Sequence, residues 1–304
     1  MPLLLVADNS PARESMMLRF FGWKIFFDLT RVGLSLAVAF SAFAGYCVFK
    51  PVHGLTSLFS FFGVLLLSGA CAALNQYQEQ RPDGLMKRTE NRPLPTKSVS
   101  SFQTLFVAAV LGLWGILLLF VGTTWVAGAL GIFTVFWYNT VYTPLKKKTS
   151  FAFLIGAFTG ALPPLIGYTG AGGPLLGKGL VVGAFLFFWQ IPHFMLVLLK
   201  HGNDYARAGF PALSLSMGEK NFKRAIFSGL LATSLSSFLF PVFKIISNTG
   251  IIAVFVIVNV LFVVYFFNAL VRGKKDLNFR TTFRMLYLYQ SVMLVLIIGD
   301  ALLA

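Results

Sequence analysis

Phe102-Gln-Thr-Leu-Phe-Val-Ala-Ala-Val-Leu-Gly-Leu-Trp-Gly-Ile-Leu-Leu-Leu-Phe-Val121 runs without an ionisable side chain. Twenty residues of helix rise about 30 Å, the thickness of the hydrocarbon layer of a bilayer. A barrel strand would be about ten residues long and would alternate apolar with polar positions, so this stretch reads as a membrane-crossing helix. Working outward, similar stretches lie near residues 27–49, 55–76, 124–143, 151–170, 177–199, 224–245, 250–271 and 285–303. The expected fold is therefore all-α, a polytopic membrane bundle of nine transmembrane helices. Composition agrees: of 304 residues 57% are hydrophobic, 12% are charged and 34 are Phe. A soluble domain cannot hide that much apolar surface. The first 26 residues lack the order of a cleavable signal and read as a cytoplasmic segment ahead of one intramembrane domain, 27–304.

Charge assigns the faces. Twenty-two of the 25 Lys and Arg fall on one alternating set of connections and three on the other. The positive-inside bias then puts the N-terminus in the cytoplasm and the C-terminus on the outer side of a cell inner membrane. The same bias accounts for the net charge of +15 without a nucleic-acid partner. Cys47 and Cys71 sit in apolar stretches with no metal-ligand spacing, which excludes zinc chemistry and a disulfide framework.

Only ten acidic residues exist, and each is costly near a membrane unless solvated or paired. Asp8, Glu14, Asp28, Asp276 and Asp300 read as solvated or paired surface charges. Glu79, Asp83 and Glu90 follow the second helix, and Asp204 and Glu219 follow the sixth, so both groups share the basic face.

The first group is ordered. Asn75, Glu79 and Asp83 are spaced by four, and such residues line one face of a helix end. Three hard oxygen donors on one stripe suit Mg²⁺, which typically bridges to substrate phosphate. Pro82 disfavours helix at Arg81, so Asp83 is expected on a bent continuation. Arg88 and Arg92, four apart, can clamp phosphate oxygens, and Tyr142 with Lys146 makes a second oxyanion pair. Taken singly these are also ordinary features of a basic membrane face. Together with the acidic stripe they describe a diphosphate held by metal and cations.

Asn75-x-x-x-Glu79-x-x-x-Asp83-x-x-Met86-x-Arg88-Thr89-x-x-Arg92-Pro93-Leu94 resembles the first signature of the UbiA-type intramembrane prenyltransferases, in detail that of their heme-farnesylating branch. Tyr142-Thr-Pro-Leu-Lys-Lys-Lys-Thr149 with the following 155–167 is similar to that branch's central segment. Trp189-Gln-Ile-Pro-His193-Phe and Asp204-Tyr-x-x-Ala-Gly209-x-Pro211 are similar to its second signature. The resemblance implies a helical bundle around a cavity with a diphosphate site at its cytoplasmic mouth. It implies Asn75, Glu79 and Asp83 as a Mg²⁺ set with Asp204 added, and Arg88, Arg92, Tyr142 and Lys146 on the diphosphate. It further implies transfer of farnesyl from farnesyl diphosphate to a vinyl group of heme B, giving heme O for a downstream heme-modifying enzyme. His193 would then ligate or orient heme iron or take a proton, with Trp189 against the macrocycle; the alternative is a histidine bonded to a backbone carbonyl and an aromatic used in packing.

The sequence also departs from that pattern. Leu29-Thr-Arg31 stands where a Lys-Pro-Arg-like run is usual, Ser150-Phe-Ala-Phe153 lacks a common Asn, and the second signature offers Asp204 as its only carboxylate. Two other functions share some of these features. Prenylation of an aromatic quinone precursor would use the same metal-diphosphate chemistry. A secondary transporter would also carry Gly/Pro-interrupted helices, but its ionisable groups belong near the midplane, whereas here they gather at one face.

Overall fold

Inside a bilayer the backbone must satisfy its own hydrogen bonds, so an uninterrupted apolar segment becomes a helix. The computed structural model describes residues 22–50, 54–273 and 278–303, and every regular element among them is helical. The expected N-terminal segment lies outside the described residues up to position 21, as do Asp8, Glu14 and Asp276.

The elements are α1 (Trp23–Thr30), α2 (Val32–Phe49), α3 (Leu55–Asp83), α4 (Ser101–Gly122), α5 (Trp125–Phe136), α6 (Ala152–Gly170), α7 (Lys178–Arg207), α8 (Leu213–Met217), α9 (Glu219–Ser237), α10 (Thr249–Phe266) and α11 (Phe279–Leu303). Among the described residues eight helices are long and apolar enough to cross a membrane. The remaining expected crossing, 124–143, is present in three consecutive pieces: α5, a π-helical turn at Trp137–Tyr142, and Thr143–Leu145. With it, the expected nine segments are all helical among the described residues, one of them interrupted by the π-helical turn.

Neighbouring helices form a closed ring. Each of α2, α3, α4, α5, α6, α7, α9, α10 and α11 packs on the next, and α11 returns to α2. Across it, α2 and α6 approach at backbone distance. A Cβ built on Gly167 would fall 1.7 Å from the Ala42 carbonyl oxygen, and one on Gly45 would fall 2.0 Å from that of Pro164. In lipid, where apolar burial between helices is a weak force, small residues permit the close packing that holds helices together.

Buried polar groups tie the second half. Ser234 and Ser237 of α9 and Tyr289 of α11 all donate to Asn259 Oδ1 of α10, at 2.7, 3.1 and 2.9 Å. Asp300 departs from its expected role as a surface charge. It is 5% exposed, and its carboxylate accepts the backbone N–H groups of Ser247 and Asn248 at 2.8–3.0 Å. Those amides lead into α10, and without the carboxylate they would be unpaired at a helix start.

Candidate active site

The helix of Asn75, Glu79 and Asp83 is not ended by Pro82. α3 continues through Pro82 to Asp83, keeping all three on the same helix, and they are 5%, 3% and 1% exposed. Pro82 removes its own hydrogen bond to the i−4 carbonyl, but it stands one residue before the helix ends, so no further turn has to follow it. Three largely dehydrated polar side chains at the polar end of a membrane helix require partners.

Those partners come from the widened end of the fifth crossing. α3 and α5 run in the same direction, and the residues match in order: Asn75 Nδ2 donates to Thr143 Oγ1 at 3.1 Å, and Lys146 Nζ donates to Glu79 Oε2 at 2.9 Å. Gln78 and Asn139 bond reciprocally one turn away, Nε2 to the Asn139 carbonyl and Asn139 Nδ2 to Oε1. Asn139 lies in the π-helical turn, a distortion that often marks functional sites. Lys146 also lies 5.2 Å from the Tyr142 ring centroid and 6.0 Å from that of Phe210, so Tyr142 meets it face-on.

The loop after α3 completes the charge pattern. Thr89 Oγ1 donates to the Asp83 carbonyl at 2.9 Å, and Met86, Leu94 and Val99 are buried beneath the loop. This fixes Arg92, whose guanidinium pairs with Asp83 Oδ2. Burial pushes the Arg92 guanidinium below its ordinary value, the charge of Arg31 adds to the effect, Asp83 opposes it, and Arg88 contributes in the lowering direction. Arg31 and Arg88 thus lie near enough for their charges to act on Arg92. Arg31 is the contribution that the departure at Leu29-Thr-Arg31 concealed: it sits in left-handed conformation, φ 49°, at the break between α1 and α2.

The second connection reaches this site through Tyr205 and Pro211. With Tyr142, Lys146, Phe153 and Phe194 they line a small recess. Asp204 is engaged locally, its carboxylate 3.4 Å from Arg207 and 3.8 Å from His201 Nδ1. Among the described residues no three of His, Cys, Asp and Glu converge as a metal-holding group. The remaining donors still fit Mg²⁺. Glu79 Oε1 and Asp83 Oδ1 are buried without a hydrogen bond, and Thr143 occupies the Asn75 nitrogen, leaving its carbonyl available. Mg²⁺ is commonly held by one or two carboxylates plus substrate phosphate.

His193 and Trp189 form a separate aromatic box on α7. Their rings stack at 5.3 Å with 9° between planes, and Trp189 Nε1 donates to the Leu286 carbonyl at 3.1 Å. Phe194, Phe283 and Tyr287 close around His193 at 5.6, 6.0 and 5.4 Å. His193 Nδ1 is buried and has no hydrogen-bond partner, so no backbone carbonyl accounts for it. Tyr287 also borders a cavity of about 330 Å³ between α2 and α11, which Phe40, Phe61, Gln290 and Ser291 help to line. Aromatic contacts continue from His193 through Phe194 to Tyr142, and so to Lys146.

A ring of membrane helices carries, at one end, two buried carboxylates paired with a lysine and an arginine. Residues 34–288 match the model of the UbiA prenyltransferase family, and the chain belongs to that family. Among curated relatives, the protoheme IX farnesyltransferase of Geobacter sulfurreducens is 39% identical over 223 residues, 72% of this chain and 81% of its own. That of Nitratidesulfovibrio vulgaris is 35% identical over 225 residues, 73% and 78% of the two chains. The chain is thus a membrane prenyltransferase that groups with the protoheme IX farnesyltransferases, and a transporter is set aside. Solved structures share the fold. A digeranylgeranylglyceryl phosphate synthase aligns with TM-score 0.73 at 16% identity, covering 92% of this chain and 99% of its own. A UbiA homolog from Archaeoglobus fulgidus bound to GPP and Mg²⁺ aligns with TM-score 0.69 at 13% identity, covering 92% and 100%.

Proposed function

We propose that this enzyme transfers the farnesyl group of farnesyl diphosphate to a vinyl group of heme B, producing heme O. The C–O bond to diphosphate breaks, a C–C bond to the vinyl group forms, and water adds to the resulting cation with loss of a proton. The observation that carries the reading is the buried carboxylate pair of Glu79 and Asp83 beside Lys146 and Arg92, with Asp83 Oδ1 free of hydrogen bonds. The names of the curated relatives support heme as acceptor.

Mg²⁺, when bound by Glu79, Asp83 and the Asn75 carbonyl, would supply Lewis acidity to the leaving diphosphate. Asp204 is the candidate for a further ligand from the second connection. Arg88, Arg92 and Lys146 bind the diphosphate oxygens, and Tyr142 positions Lys146 by its ring face. The stacked Trp189 and His193 offer a flat surface for the macrocycle, with the imidazole as iron ligand or proton acceptor. The aromatic contacts between Lys146 and His193 exclude water from the path between leaving group and acceptor.

The bias of Lys and Arg supports an inner-membrane location with this site facing the cytoplasm, the N-terminus on that side and the C-terminus outside. Heme O would pass to a downstream heme-modifying enzyme. The test is incubation of purified protein with heme B, farnesyl diphosphate and Mg²⁺, with mass analysis of the pigment. A hydroxyethylfarnesyl heme is expected. Unchanged heme B, with prenylation of an added quinone precursor, would reassign the acceptor.

A further inference from the structure

Glu79 and Asp83 each already have a cation from this chain. Lys146 Nζ is 2.7 Å from Glu79 Oε1 and 2.9 Å from Oε2, though aligned as a donor only to Oε2, and Arg92 pairs with Asp83 Oδ2. The carboxylates are almost wholly dehydrated, while the Lys146 and Arg92 side chains are 18% and 13% exposed. These are the same four groups that the proposed function gives to the metal and to the diphosphate. Each carboxylate keeps one oxygen outside its hydrogen bond, but a lysine or arginine held on the other oxygen competes with a metal for the carboxylate charge and has fewer donors left for a diphosphate.

The geometry points to a partner exchange: the free enzyme neutralises its own site through Glu79–Lys146 and Asp83–Arg92, and divalent ion and diphosphate bind as one unit that separates both pairs. This rests on the proposed metal-diphosphate reading and adds a regulation to it. A divalent ion entering alone would have to share the carboxylates with two cations in a poorly solvated space. A diphosphate entering alone would draw Lys146 and Arg92 away and leave two buried carboxylates uncompensated, which is the costly half of breaking such a pair. Together, each ligand supplies the counter-charge that the other removes, so the two are thermodynamically coupled and each tightens the other by the same factor. The free enzyme is thereby kept from holding a metal without substrate.

The test uses Mn²⁺ as the probe, with free ion followed by electron paramagnetic resonance, on full-length protein in detergent. Without diphosphate, Lys146→Met and Arg92→Met should each bind Mn²⁺ on the order of 10-fold more tightly than wild type, within the usual range of such couplings. Lys146→Arg keeps the pair and should stay as weak as wild type. Lys147→Met is the field control, because Lys147 is exposed, carries the same charge and is in none of the ion pairs found among the described residues; it should change affinity less than about 2-fold. With farnesyl diphosphate added, the order should reverse and wild type should bind Mn²⁺ more tightly than Lys146→Met. If Lys146→Met fails to fold, Arg92→Met carries the same test. Equal Mn²⁺ affinity in wild type and both Met variants, or an equal gain in Lys147→Met, would overturn the exchange while leaving the metal site intact. No Mn²⁺ binding by any form, even with farnesyl diphosphate, would overturn the metal site and the exchange together.

Discussion

Asn75 Nδ2 donates to Thr143 Oγ1 at 3.1 Å, across 68 residues of sequence, while that same hydroxyl donates to the Tyr138 carbonyl at 2.9 Å. The bond locks the Asn75 amide and registers α3 against the end of the fifth crossing, so that Glu79 meets Lys146 one turn further on. Thr143→Val keeps the shape and removes the acceptor. Leaving a buried amide nitrogen unpaired should cost about 1–3 kcal/mol. Thermal unfolding in detergent should show the loss, and turnover should fall with it because Asn75 is released; a variant that melts and turns over like wild type would show that the register is held elsewhere.

The α2–α6 crossing should tolerate no side chain. Gly167→Ala and Gly45→Ala place a methyl group against the backbone of the facing helix, where neither side has a flexible side chain to move. Destabilisation should be at least the roughly 1–3 kcal/mol typical of overpacking, read as a lower melting temperature and reduced yield in the membrane. Gly33→Ala, with open space around its position, is the matched control and should be neutral.

Asp300→Asn should lower the melting temperature without touching the site at the other end of the bundle. An amide can present one acceptor where the carboxylate presents two to the Ser247 and Asn248 amides. The expected loss is about 1–3 kcal/mol, with Mn²⁺ affinity unchanged. Equal stability would mean that water satisfies those amides.

His193→Phe retains an aromatic ring in the box around Trp189, Phe283 and Tyr287 but removes both nitrogens. If the imidazole meets heme iron, the absorption spectrum of added heme B should change between wild type and variant, with farnesyl diphosphate affinity unaltered. An identical spectrum and identical turnover would make His193 a packing residue.

Most of the architecture can be read from the sequence because bilayer thickness imposes one segment length, and the stretch from Phe102 to Val121 already meets it. The common face of Asn75, Glu79 and Asp83 can be read as well, because four-residue spacing is a property of the helix itself. What cannot be read is how those residues are partnered. Lys146 lies 67 residues from Glu79, and no local pattern says that a π-helical turn brings them together. Arg31 is hidden for another reason: it occupies a left-handed break that helix periodicity does not anticipate. Asp300 looks like a terminal surface charge because the backbone amides that it satisfies are more than fifty residues away. The surroundings of Asp204 cannot be read either: its carboxylate lies 3.4 Å from Arg207 and 3.8 Å from His201 Nδ1 on its own helix.

The central claim is that Glu79 and Asp83 bring a divalent ion to a prenyl diphosphate. Its most direct test is diphosphate release from farnesyl diphosphate by purified enzyme with heme B and Mg²⁺, compared among wild type, Glu79→Gln and Asp83→Asn. Both variants should still accumulate in the membrane, and both should lose at least about 10²-fold in rate, as expected when charge stabilisation of a leaving group is removed. Release at the wild-type rate by both variants would contradict the account.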